Sequence, residues 1–142
     1  MSKSVVELVR QHRQCDDELN RCEGALLKAD LSLAARHFSL FSEELDAHFS
    51  LEENILFPAF EQATGMMNGP TAVMRGEHAE IRHLCDEVAA AIDTSEPGEA
   101  LAVIDTLNVL LQQHNVKEEN MLYPMCAGQI AHLDSVLGLG SV

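Results

Sequence analysis

The chain repeats itself at an interval of 66 residues, and this constrains its fold more than any other feature. The run from His48 to Pro58 falls on the run from His114 to Pro124, so the pattern H-x3-E-E-N-x-L-[FY]-P occurs twice. The same shift lays His12 on His78, and each of these precedes the next repeated histidine by 36 residues. No gap is needed anywhere, so the two halves are copies of one unit.

Turn signals near Lys28 to Ser32, at Gly65 to Pro70, at Asp93 to Gly98 and at Gly128 cut the chain into four segments, each of about 25 to 35 residues. Within each segment apolar residues recur at threes and fours. The first reads Val5, Leu8, His12, Cys15, Leu19, Cys22, Leu26, and the fourth reads Ile104, Leu107, Leu111, His114, Glu118, Met121, Met125. That is the spacing of amphipathic helices with one buried face. Composition agrees, because 46% of residues are hydrophobic but only 4% are aromatic, which weighs against a sandwich or barrel. The expected fold is all-α: an antiparallel up-down-up-down four-helix bundle built from two repeated helical hairpins. The 142 residues are expected to form a single domain, with a core over about 5–127 and a short C-terminal tail over 128–142.

Charge narrows the partners. With 23 acidic against 9 basic residues the formal net charge is −14, which repels nucleic acid and disfavours anionic membrane surfaces. No stretch approaches the roughly 18 apolar residues of a spanning helix. The opening MSKSVVELVR is amphipathic, neither a signal peptide nor an anchor, so a cytoplasmic location is expected. Cys15, Cys22, Cys85 and Cys126 form no CxxC pair; the first three fall on apolar stripes, and all read as free, buried small hydrophobes.

Residues four apart on a helix lie one above the other, so His48 with Glu52, and His114 with Glu118, present an imidazole and a carboxylate in one direction. That direction is inward, since all four fall on the apolar stripes. In an antiparallel hairpin, residues equidistant from the turn share a height. His12 and His48 are equidistant from position 30, His78 and His114 from position 96, and Glu52 and His78 from Gly65. Four histidines and two glutamates thus converge on one layer of the core. Two buried carboxylates facing each other repel, and the layer is costly unless something neutralises it. A pair of metal ions does so, and imidazole with carboxylate but no thiolate suits iron or manganese, zinc being an alternative.

These residues resemble the hemerythrin-like, or HHE cation-binding, domains, whose pattern is H, H-x3-E, H and H-x3-E or H-x4-D on four successive helices. The resemblance covers about residues 5–127. It implies two iron ions in an oxo- or hydroxo-bridged di-iron centre, with His12 and His48 on one ion, His78 and His114 on the other, and Glu52 and Glu118 bridging. The implied function is a non-heme di-iron protein that binds or senses O2 or a related small diatomic ligand. The alternatives are oxidative or nitrosative stress chemistry, meaning peroxide or NO reduction or iron–sulfur cluster repair, and iron storage or sensing. No nucleophile motif or phosphate loop accompanies the site, which leans away from an enzyme acting on a large substrate.

The pattern departs from the oxygen carriers in two places. They have a fifth histidine four residues after the one on the third helix, where this chain has Arg82, and they tend to end in H-x4-D. Four histidines with two glutamates look more like the iron-sensing and iron–sulfur repair members. Repair members usually carry an additional cysteine-containing N-terminal segment, whereas this chain opens on its first helix, so ligand binding or sensing is the leading expectation. His83 lies about 140° round the helix from His78 and is not expected to ligate. Glu53 and Glu119 are expected off the ligand direction, as partners of a histidine N–H or as surface charges. Pro58 and Pro124 should free the carbonyls of Asn54 and Asn120 and kink the chain beyond the site. His37 reads as a core-edge residue, His132 falls in the tail, and Met66 and Met67 read as packing at a turn.

Overall fold

A computed structural model describes residues 2–139, and among these there are helices and no strand. Helix α1 runs Lys3–Leu27 and α2 Leu31–Leu51, followed without a break by a π-helical turn, Glu52–Leu56, and α3, Phe57–Thr64. The second half repeats this: α4 is Pro70–Asp93, α5 is Pro97–Lys117, then a π turn at Glu118–Leu122 and α6 at Tyr123–Gln129. A short α7, Leu133–Val136, closes the described chain. Among the described residues no helix is long and apolar enough to cross a membrane.

Local chemistry sets the ends. The side chain of Ser2 accepts from the N–H of Val5 and that of Asp30 from Leu33, capping α1 and α2, while Pro70 and Pro97 start α4 and α5 where no N–H is needed. The two hairpin turns are copies. Asp30 N–H donates to the carbonyl of Ala25 and Glu96 N–H to that of Ala91, across the left-handed residues Ala29 and Ser95. Gly65, at φ 75°, ends α3 in the conformation glycine adopts most cheaply. The break expected at Gly128 falls later: α6 continues through it to Gln129, because an isolated glycine does not end a helix whose buried face is packed.

Helix α1 packs on α2 and α4 on α5, while α1 also meets α5 and α2 meets α4, so the four long helices close a ring. Two apolar clusters fill it. One holds Cys15, Leu19, Phe38, Phe41, Leu45, Ile81, Val88, Ile104 and Leu107 among others, toward the hairpin turns. The other holds Val5, Leu8, Leu56, Phe60, Met74, Leu122, Cys126 and Leu133. Between them, on each long helix, comes one histidine: His12 after Leu8, His48 after Leu45, His78 after Met74, His114 after Leu111.

The π turns change the phase of the buried stripe. In each, the N–H of the closing residue reaches five residues back, Phe57 to Glu52 and Tyr123 to Glu118. The extra residue rotates the next stretch of helix, so Met121, expected on the buried face, is 63% exposed, Met125 is only half-buried, and Leu122, Tyr123 and Cys126 are buried instead. The expected disruption at the prolines therefore takes the form of a widened turn. With five-residue bonding the carbonyl that Pro58 leaves free is that of Glu53, not Asn54, and Arg75 donates to it at 3.2 Å.

Candidate metal centre

The structure brings all six expected donors into one layer. His12, His48, Glu52, His78, His114 and Glu118 are each at most 3% exposed, and both glutamates are completely buried. Their donor atoms form two overlapping groups, His12, His48, Glu52, Glu118 and Glu52, His78, His114, Glu118, each with all atoms within 4.8 Å of one another. Both glutamates belong to both groups. The carboxylate of Glu52 faces two ways, with Oε2 3.4 Å from His48 Nε2 and Oε1 3.0 Å from His78 Nε2. Glu118 Oε1 lies 3.0 Å from His12 Nε2 and 3.3 Å from His114 Nε2.

The ring orientations follow from the opposite nitrogens. Each Nδ1–H has an acceptor on a neighbouring helix: Glu119 for His12 at 2.7 Å, Gln11 for His48 at 2.6 Å, Glu53 for His78 at 2.6 Å and Glu77 for His114 at 2.8 Å. A proton held on Nδ1 leaves the Nε2 lone pair facing the centre of the layer, the form in which imidazole ligates a metal. Glu53 and Glu119 are thus histidine partners and not free surface charges. Each acidic partner meets a cation toward the rim: Arg82 on Glu53 at 2.7 Å, Arg13 on Glu119 at 3.2 Å and Lys117 on Glu77 at 2.6 Å. Burial raises the Glu53 and Glu77 carboxyls, but these hydrogen bonds outweigh it and hold both below the ordinary range.

The donor set fits a cation on an observation independent of spacing. Glu52 Oε1, His78 Nε2, His114 Nε2 and Glu118 Oε2 are buried and have no hydrogen-bond partner, since the 3.0 Å approach of His78 to Glu52 lacks hydrogen-bonding alignment. Unpartnered buried polar atoms are costly, and these belong to four residues whose donor atoms can meet within 4.8 Å, the complement of a positive ion. The electrostatics say the same. Burial opposes charge on His48, yet the Glu52 charge and the facing carboxylates of Glu118 and Glu52 push it up to about 10. For Glu118, burial is overcome by the facing imidazoles of His114, His12 and His48, and its carboxyl lies well below the ordinary value.

One residue of the layer is absent from the sequence expectation. The Tyr123 hydroxyl lies 2.7 Å from Glu52 Oε2, 2.9 Å from Glu118 Oε1, 3.1 Å from His12 Nε2 and 3.3 Å from His48 Nε2. Burial, then the charges of Glu52 and Glu118, raise it well above the usual phenol value, so it is a donor here. Its repeat equivalent, Phe57, has no hydroxyl, and Phe49 stacks on the His78 ring with centroids 3.7 Å apart.

The other candidates fall outside the layer. His83 is 72% exposed and pairs with Glu87, and His37 bonds Glu18 at the core edge. Arg82, at the position of the carriers' fifth histidine, does not face the donors but ties Glu53 to Asp46. Met66 and Met67 are exposed, although Met66 lies against Gly69. All four cysteines are free and buried, and burial pushes Cys15, Cys85 and Cys126 up to about 12 and Cys22 to about 11, which leaves them as inert thiols.

The sequence profile described as the Hemerythrin HHE cation binding domain matches residues 4–126. The chain is 32% identical over 105 residues to the iron–sulfur cluster repair protein YtfE of Edwardsiella ictaluri, covering 68% of this chain and 48% of that one. To the proteins of the same name from Cronobacter sakazakii and Enterobacter sp. it is 34% and 33% identical, over 63% of this chain and 45% of theirs. It therefore spans about half the length of these curated relatives. No solved structure matches it significantly. With its two H-x3-E helices and its match across nearly the whole chain, the protein belongs to the hemerythrin HHE cation-binding family.

Proposed function

We propose that this chain is a cytoplasmic non-heme di-iron protein that binds or senses a small diatomic ligand, O2 or a relative such as NO. The full 142 residues are one hemerythrin-like domain, an up-down-up-down bundle of two hairpins, with the segment from 128 onward as a tail. His12 and His48 would hold one iron and His78 and His114 the other, with Glu52 and Glu118 in reach of both positions. The observation that carries this reading is the set of buried, unpartnered donor atoms facing one another in a single layer. Bound iron would supply electrons to the small molecule. The chain's own residues have three tasks: the Nδ1 partners hold each imidazole in its ligating tautomer, Phe49 and Phe57 exclude water, and the Tyr123 hydroxyl offers a hydrogen bond inside the layer.

Access supports a small ligand. A groove of about 740 Å3 between α2 and α4 ends on Phe49 and Arg82, short of the donors. The donors themselves are at most 3% exposed, which favours a small ligand over a large one. A second reading, stress chemistry that ends in repair of iron–sulfur clusters, is favoured by the names of the relatives. Two measurements decide. Protein produced with iron should carry close to two irons per chain; fewer than about one would sink the reading. Anaerobically reduced protein should then change its absorption on exposure to O2 or NO and recover when the gas is removed. Catalytic loss of NO or peroxide, or transfer of its iron to a damaged cluster protein, would move the assignment to the second reading.

A further inference from the structure

The 66-residue shift pairs every donor with its equivalent, but three neighbours of the donors break the symmetry. Glu77, on Nδ1 of His114, answers to Gln11, on Nδ1 of His48. Phe49, stacked on the His78 ring, answers to Asn115, a buried amide with no hydrogen-bond partner. Phe57, against the same ring, answers to Tyr123, whose hydroxyl meets both carboxylates beside His12 and His48. The differences accumulate on one side. Aromatic rings lie beside all four histidines, but His78 and His114 both donate to carboxylates, whereas His12 has Glu119 and His48 has only a neutral amide.

Resting on the reading that two ions share this layer, we infer that the two positions are inequivalent. The position between His78 and His114 takes its ion first and gives it up last, and Gln11 sets the difference. A carboxylate on Nδ1–H draws that proton and makes Nε2 a stronger donor; an amide carbonyl, with no net charge, does so less. Changes in such hydrogen-bonded partners alter metal affinity by about 10- to 100-fold. The cations on Glu53, Glu77 and Glu119 do not cancel this, because they stand toward solvent; Lys117, for example, is 49% exposed. The Tyr123 hydroxyl works in the same sense, since it competes for Glu52 Oε2, the oxygen of that carboxylate that faces His48.

The test uses zinc(II), which has no redox change, on the metal-free full chain. With one equivalent added, anomalous diffraction at the zinc edge should show occupancy between His78 and His114 exceeding that between His12 and His48 by about tenfold or more. Gln11→Glu should bring the two occupancies within about threefold of each other, and Glu77→Gln should do the same by weakening the stronger position. Equal occupancy in the unmodified chain, a preference for His12 and His48, or a ratio that neither substitution moves overturns the inference. With excess zinc the layer should hold two ions. A chain that holds only one overturns the two-ion reading as well, which separates the two failures.

Discussion

Lowering the pH from 8 to 6 should strip metal from this layer steeply. In the metal-free chain burial opposes charge on His48, but the facing carboxylates of Glu52 and Glu118 outweigh it and push the group up to about 10; His114 shifts in the same direction. A metal ligates the neutral imidazole, so throughout this range it must displace the His48 proton. Each displaced proton changes the apparent binding constant tenfold per pH unit, about 1.4 kcal/mol, so His48 alone accounts for about 100-fold over two units. His114 adds to that, while Glu118, held well below its ordinary value, is already ionised and adds nothing. Competition against a chromophoric chelator at constant ionic strength measures the slope, and a pH indicator in weak buffer counts the protons released. A constant that stays flat between pH 6 and 8, or loading without proton release, would refute the reasoning. The metal-free chain should behave oppositely. The raised His48 contributes stability that is complete below its ordinary 6.5 and lost as pH rises toward about 10. The depressed Glu118 contributes stability that is present above 4.5 and lost in acid. Denaturant titrations should therefore place the metal-free optimum between those two values, and the metal-loaded optimum higher.

Five substitutions probe the geometry. Glu118→Ala should release most of the metal, whereas His83→Ala, on a side chain 72% exposed, should leave the metal content unchanged; retention after Glu118→Ala would contradict a shared carboxylate. Tyr123→Phe removes a donor to buried carboxylates and should destabilise the metal-free chain by about 1–3 kcal/mol, and the metal-loaded chain by less, because the ion then answers the same oxygens. Equal losses in thermal unfolding with and without metal would count against that. Leu122→Ala should cost about 2–5 kcal/mol and Met121→Ala less than about 0.5, the reverse of what an uninterrupted α-helix would give.

The six donors were legible because the four-residue steps and the matched distances within each hairpin end where the π turns begin; only the match of Glu52 with His78 about Gly65 runs through one. His48 to Glu52 and His114 to Glu118 are ordinary four-residue steps, and the matched distances from the turns need only straight helices. Tyr123 lies five residues beyond Glu118, which on an α-helix would carry it off the face, and only the widened turn returns its hydroxyl to within 2.9 Å of that carboxylate. The error over Met121 has the same cause. The histidine partners were half legible. Glu53 and Glu119 stood out by repetition, but Gln11 and Glu77, each immediately before a lone histidine, reach across to His48 and His114 on the adjoining helix. A polar residue preceding both lone histidines was the available signal, and its meaning depended on how the helices rotate against each other.

The position of the donor layer between two separate apolar clusters bears on how the chain unfolds. Hydrophobic burial within each cluster holds it together without reference to the other, and across the layer the contacts are polar. Bound metal would link side chains from α1, α2, α4 and α5, together with the π turns, into one unit, so cooperativity along the helix axes would depend on the ion. In amide hydrogen exchange the loaded chain should open as a whole, whereas the metal-free chain should show two levels of protection, with the half containing Val5, Phe60 and Leu122 yielding independently of the half around Phe41 and Leu107.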